Sequence, residues 1–167
     1  ISIFVIIMSL KLIFKEQISL KSDFDKHIVG VDLDKYLKDY ENNIPNIKKG
    51  VEKRIIWSGE NGKQTPISII YIHGFTASSE EARPLPDMLA NELESNIFYT
   101  RLTGHGRDKD AMGNLSIKEW VKDLYEAIEI GSRIGNKVII MSTSTGGTLS
   151  SIAAIEPTLS KNILGFI

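Results

Sequence analysis

The sequence predicts an α/β protein with a mostly parallel sheet covered by helices on both faces. Three observations carry that expectation. From residue 51 onward, short apolar runs of strand length alternate with stretches of helical period. The run Ile67–Ile72 is almost continuously apolar, as a strand buried on both faces requires. A helical stretch lies between most successive runs, which suits right-handed crossovers between parallel strands.

Each element has its own signature. "EKRIIWSG" reads as a first strand, and Asn61-Gly62 in the following "ENGK" is a strong hairpin turn signal. "ISIIYI" is the second strand and ends in "HGF". In "SSEEARPLPDMLANELES", Ser78 and Glu81 fit a capping box, and Pro84 and Pro86 push the regular helix start toward residue 85. "NIFYTRL", 96–102, is the third strand, followed by the loop "TGHGRDKDAMGN". Ser116 and Glu119 form a second capping box ahead of a helix whose apolar face carries Trp120, Val121, Leu124 and Ile128, with Tyr125 beside them. Gly135 and Asn136 stop it. "KVIIM" is a strand, "TGGTLSSIAAI" a helix ending before Pro157, and "NILGFI" opens a further strand.

The N-terminal third divides in two. Residues 1–14, "ISIFVIIMSLKLIF", are apolar but too few to span a bilayer, which takes about 20 residues. They read as part of a signal-anchor or export segment, or else as a buried strand or helix. On the first reading the protein is membrane-anchored or exported. Residues 15–50 form a polar lead-in with a short amphipathic helix through Leu33, Tyr36, Leu37 and Tyr40, ended by Asn42, Asn43 and Pro45. Residues 51–167 hold the regular alternation.

Composition excludes several classes of function. The 167 residues carry 20 Lys+Arg against 21 Asp+Glu, so there is no basic footprint for nucleic acid. There is no cysteine, hence no disulfide, thiolate metal site or cysteine nucleophile. Nothing in the sequence calls for a metal or cofactor, and oligomeric state is not legible.

The chemistry concentrates in "IIMSTSTGGTLSS". Ser142-Thr143-Ser144-Thr145-Gly146 fits G-x-S-x-G with Ser in the first glycine's place, between an apolar strand and a helix. A nucleophile on such a turn adopts a strained backbone, and strand and helix approach closely two residues before and after it. Only small side chains fit there, which Ser142 and Gly146 satisfy, and Gly147 is expected to let the helix pack closer still. The alternative is a serine-rich helix cap. A P-loop is disfavoured, because no Lys follows the glycines. His73-Gly74-Phe75 supplies a second signal: Gly74 lets backbone approach a reacting carbonyl, and the Phe75 N–H with that of Thr145 makes a two-donor oxyanion hole. In "RLTGHGRD", Gly104 and Gly106 mark a sharp turn around His105.

Strand-HGF, strand-GHGRD and strand-S-x-S-x-G-helix, in that order, resemble the α/β-hydrolase superfamily. The subgroup suggested is the one holding monoacylglycerol lipases, lysophospholipases, carboxylesterases and serine-aminopeptidase-like hydrolases. The resemblance covers about residues 52–167. It implies an α/β-hydrolase-type sheet, incomplete at the C-terminus. It also implies Ser144 as nucleophile, Phe75 and Thr145 as backbone oxyanion donors, His73 and His105 as structural loop residues, an ester or lipid substrate and no cofactor. The family's triad runs Ser, then Asp or Glu, then His. After Ser144 the chain has no His and no Asp, only Glu156 at the far end of the helix. The triad acid and base are therefore expected to be absent from this chain, which reads as C-terminally truncated, nearly inert alone and left with a bare apolar edge strand. Two alternatives stay open: a non-catalytic hydrolase-fold protein or interaction subunit, and a thioesterase or peptidase on the same scaffold.

Overall fold

Five strands form one sheet in the order β1-β3-β2-β4-β5 in a computed structural model that describes residues 21–113 and 115–167. The elements are a 3-10 turn at Lys26–Val29, α1 Leu33–Asn42, β1 Arg54–Ile56, β2 Thr65–Ile72, α2 Leu85–Glu92, β3 Asn96–Tyr99 and a second 3-10 turn at Lys109–Met112. They continue with α3 Ile117–Ile134, β4 Gly135–Ser142, α4 Thr145–Ile155, α5 Pro157–Ser160 and β5 Ile163–Phe166. Residues 1–14, read above as a membrane or export segment, lie outside the described residues. Among the described residues no helix is long and apolar enough to cross a membrane.

β2 is the central strand. It pairs parallel with β3 from Ser68↔Asn96 to Tyr71↔Tyr99, and parallel with β4 from Thr65↔Gly135 to Ile72↔Ser142. Both edges of β2 are occupied, which explains one departure from the sequence reading. Asn61-Gly62 does turn the chain, with Gly62 at φ +81°, but no β1–β2 hairpin forms. β1 runs antiparallel along β3 instead, pairing Ile55 with Phe98. β3 is also shorter than the apolar run that predicts it, ending at Tyr99.

The two faces carry unequal loads. Ile70, Ile72, Val138 and Ile140 point to the face covered by α1, α3, α4 and α5, through buried Leu37, Leu124, Leu149 and Leu159. Ile69, Tyr71, Ile97, Tyr99 and Met141 point to the other face, where α2 packs through Ala90 and Leu89. The β2-to-β3 and β4-to-β5 crossovers run in opposite directions across the sheet and place their helices on opposite faces, as one common handedness demands. Helix α3 and the start of β4 fit closely against β2 because each has a glycine at the contact. A Cβ on Gly131 would come 2.5 Å from Ile70 Cδ1, and one on Gly135 would come 2.5 Å from the Ser68 nitrogen.

The lead-in is fastened to this unit by buried charge. Arg101 makes two 2.8 Å bonds to the Glu41 carboxylate at the end of α1. Lys53 pairs with Asp123 at 3.1 Å and with Glu126, and Glu126 also accepts the Tyr36 hydroxyl at 2.6 Å. Burial alone would lower the Lys53 pKa, but the two carboxylates beside it raise it, so the ammonium stays charged. The same network holds the 101–106 loop. Asp123 accepts the Thr103 N–H at 2.6 Å, Arg101 donates to the His105 carbonyl at 3.1 Å, and Trp120 Nε1 donates to the Thr103 carbonyl at 3.0 Å.

At the far side, β5 is an edge strand with Leu164, Phe166 and Ile167 exposed.

Candidate active site

The chain leaves β2 toward β3 and leaves neighbouring β4 toward β5, in opposite directions. Such a switch point opens a crevice beyond the carboxyl ends of the two strands. The loop 73–77 and the turn 143–145 both emerge there, tied at their roots by Thr143 N–H donating to the Ile72 carbonyl at 3.1 Å.

Ser144 occupies the turn with φ +50° and ψ −108°, a region that non-glycine residues rarely enter and whose strain is held in place by the surrounding structure. Its neighbours hold it there. Ser142 ends β4 in register with Ile72, and Thr145 begins α4. Gly146 sits against the end of β2: a Cβ there would lie 2.8 Å from the Ile72 carbonyl carbon, 3.0 Å from the His73 oxygen, and closer still to the Ile72 oxygen. The backbone requirement at Gly146 is therefore strict. Gly147 differs from its reading in the sequence. The nearest atom to a Cβ there is Ser142 Oγ at 3.9 Å, so this glycine creates no closer packing. It faces open space while Gly146 faces the strand.

The HGF loop lies alongside. A Cβ built on Gly74 would lie 3.5 Å from Ser144 Cβ and 3.5 Å from both carboxylate oxygens of Glu81. Ser144 is exposed, and its hydroxyl makes no hydrogen bond among the described residues. The Phe75 N–H likewise has no acceptor among the described residues. Thr145, as first residue of α4, has no intrahelical acceptor for its N–H. One exposed hydroxyl thus stands between two segments that carry unengaged backbone donors, at the positive end of a helix.

The two loop histidines are held differently. His73 is buried, and its Nε2 accepts the Leu102 N–H at 3.1 Å while its Nδ1 lies 2.9 Å from the Gly74 carbonyl. A carbonyl can only accept, so Nδ1 carries the proton. Burial lowers the His73 pKa to about 4, and the ring is neutral at ordinary pH. His105 is buried as well, with Nδ1 3.3 Å from the Thr103 carbonyl, and burial lowers its pKa too. Its ring packs 4.9 Å from His73, 5.5 Å from Trp120 and 6.0 Å edge-on to Phe75. The Phe75 ring also meets Trp120 at 6.1 Å and is 56% exposed at the crevice. His27 lies in the first 3-10 turn, and Glu156 caps the far end of α4, away from Ser144. Among the described residues no group of His, Asp and Glu is arranged to hold a metal ion.

Two residues of the crevice were not singled out for it in the sequence. Glu81, expected to cap α2, turns its carboxylate to the HGF loop instead and accepts the Gly74 N–H at 2.6 Å. Tyr71, read only as part of an apolar strand, donates its hydroxyl to the same Glu81 oxygen at 3.0 Å and lies 3.1 Å from Thr143 Oγ1.

Comparison with known proteins bears on the fold. A solved structure from work on LipS and LipT, two metagenome-derived lipolytic enzymes, aligns with TM-score 0.59 at 21% identity, covering 72% of this chain and 46% of that one. The fold is that of the α/β-hydrolases. Among curated proteins, the thermostable monoacylglycerol lipase of Bacillus sp. strain H-257 is 29% identical over 91 residues, which make up 54% of this chain and 35% of the lipase. The matched stretch therefore spans about a third of that relative's length. No family model matches the chain. At the level of family, these relatives are ester hydrolases.

Proposed function

We propose that the chain is a serine hydrolase of carboxylic esters that works through a seryl acyl-enzyme at Ser144. The observation that carries this reading is the backbone of Ser144. A non-glycine residue at φ +50° between a strand and a helix sustains about 1–3 kcal/mol of strain, which is retained where a side chain must project from the turn. The lipase and lipolytic relatives point to the same chemistry.

In the proposed reaction, Ser144 Oγ attacks the ester carbonyl carbon and gives up its proton to a general base. The carbonyl oxygen becomes an oxyanion and takes hydrogen bonds from the Phe75 and Thr145 N–H groups, each worth about 3–4 kcal/mol in the transition state. The carbon–oxygen bond to the alcohol breaks, and the alcohol leaves with a proton returned by the protonated base. Water then attacks the acyl-enzyme, releases the carboxylic acid and restores the Ser144 hydroxyl. His73 does not serve as the base in this scheme, because both its nitrogens are engaged away from Ser144. His105 is packed beneath Phe75 and Trp120 and acts as a loop support. In this reading the described residues supply the nucleophile and the oxyanion donors, and no triad acid or histidine is assigned among them. Their own turnover is expected to be about 10⁶-fold below that of a full triad, with residual acceleration from the oxyanion donors.

The test is covalent labelling. A fluorophosphonate probe should react slowly but measurably with the purified chain, forming an Oγ–phosphorus bond and releasing fluoride, and Ser144→Ala should abolish the reaction. Labelling that persists in Ser144→Ala would place the reactive group elsewhere. A panel of p-nitrophenyl esters, acyl-CoA and aminoacyl amides separates esterase from thioesterase or peptidase action.

A further inference from the structure

Residues 71, 74, 81 and 143 form a polar chain that no apolar-core or helix-capping role explains. Tyr71 donates its hydroxyl to the Glu81 carboxylate at 3.0 Å. The phenol oxygen is then left to accept from Thr143 Oγ1. The proton order is therefore Thr143 to Tyr71 to Glu81, with the Gly74 N–H arriving at the same Glu81 oxygen from the other side at 2.6 Å. One end of this chain is the residue before Phe75, and the other is the residue before Ser144. It crosses the crevice between the ends of β2 and β4 and joins the two segments that carry the proposed oxyanion donors.

We propose that Glu81, acting through Tyr71, is a positioning residue that fixes the separation of the Phe75 and Thr145 amides on either side of Ser144. The inference rests on the reading of those amides as oxyanion donors.

The tie is built to be rigid at both anchors. The Tyr71 ring is buried and packs edge-on to Tyr99 with centroids 5.9 Å apart, so its hydroxyl has one direction to point. Burial pushes the phenol up to about 12, which keeps the donor protonated throughout the working range. Glu81 is held by its own N–H to the Ser78 carbonyl at 3.2 Å. The flanking Glu80 pairs with Arg54 on β1 at 2.5 Å and with Arg83 at 3.3 Å. The Gly74 carbonyl is held by His73 Nδ1 at 2.9 Å and by the Ala77 N–H at 3.3 Å, and Glu81 adds the side-chain acceptor that holds the Gly74 N–H. The loop needs such a restraint, since Thr76 just beyond Phe75 also sits at positive φ, +59°. A displacement of about 1 Å in a catalytic group costs up to about 10²-fold in rate.

A competing reading makes Glu81 a base for Ser144, since both flank the same space over Gly74. Two substitutions separate them. Glu81→Ala removes the tie, whereas Glu81→Gln keeps an acceptor oxygen for Gly74 and Tyr71 but cannot take a proton. The proposal expects the Ser144 labelling rate by the fluorophosphonate to fall about 10- to 100-fold in Glu81→Ala and to stay within about threefold in Glu81→Gln, with Tyr71→Phe between them and the urea midpoint of Glu81→Gln close to the parent. Labelling of Glu81→Ala at the parental rate overturns the proposal, and so does Glu81→Gln falling as far as Glu81→Ala. If the parent chain shows no Ser144-dependent labelling, the functional reading fails, but the tie is still measured by amide hydrogen exchange at Gly74. That exchange should accelerate in Glu81→Ala and not in Glu81→Gln; equal exchange in all three proteins overturns the tie itself.

Discussion

Two adjacent glycines should respond in opposite directions to the same substitution. In Gly146→Ala the new methyl falls 2.8 Å from the Ile72 carbonyl carbon and 3.0 Å from the His73 oxygen, nearer still to the Ile72 oxygen. These are backbone atoms at the end of the central strand, so no rotamer change relieves the overlap. Either α4 shifts or the end of β2 does. Overpacking of this kind costs about 1–3 kcal/mol and sometimes more, and the gain from replacing a helical glycine by alanine, about 1 kcal/mol, offsets only part of it. In Gly147→Ala the nearest atom is 3.9 Å away, so only the gain applies. Because both variants share that gain, they should differ by roughly 1–3 kcal/mol, with Gly146→Ala below the parent and Gly147→Ala at or slightly above it. Urea unfolding followed by the fluorescence of Trp57 and Trp120 measures this, with midpoints compared at constant slope. Midpoints that move together, or a stabilised Gly146→Ala, would refute the close strand–helix approach on which the geometry of Ser144 depends.

Other outcomes follow from the same structure. Ser144→Gly should relieve the positive-φ strain and raise stability by about 1 kcal/mol while removing all Ser144-dependent labelling, a split visible by pairing urea unfolding with the probe assay. Lys53→Met leaves the Asp123 and Glu126 carboxylates buried together without their cation, and should cost about 3–5 kcal/mol by the same unfolding measurement. Stability should also fall in acid. His73 has its pKa lowered by burial from 6.5 to about 4, so below about 6.5 the unfolded chain binds a proton that the folded chain refuses until about 4. The contribution is fully present above 6.5 and is lost through that window, about 3 kcal/mol in all. His105, also lowered, adds loss of the same sign. Urea midpoints at several pH values between 7.5 and 4 check this, and His73→Asn should flatten the slope.

What the sequence discloses is what depends on local pattern. The apolar runs at 67–72 and 137–141 locate β2 and β4, and the small residues around Ser144 locate the turn, because each follows from sterics within a few residues. Long-range pairing is less visible. Asn61-Gly62 signals a hairpin, yet β2 has both edges filled by parallel strands, so β1 pairs with β3. Charged residues give no sign of burial when taken singly. Lys53, Glu41, Arg101, Asp123 and Glu126 look like solvated positions until folding brings residues 12 to 73 apart in sequence into hydrogen-bonding contact. Glu81 fits a local capping box, and the prolines that delay α2 to residue 85 free it to turn toward Gly74. Gly147 shows the limit of reading by composition, since two neighbouring glycines are identical in sequence and opposite in surroundings.

The central claim is that the Ser144 hydroxyl forms a covalent acyl bond. Incubation of the chain with p-nitrophenyl acetate, followed by intact-protein and peptide mass spectrometry, reads that bond directly. A single acetyl group is expected on the peptide carrying Ser144, formed as p-nitrophenol is released and missing in Ser144→Ala. Acetylation confined to surface lysines, at the same level in parent and Ser144→Ala, would contradict it.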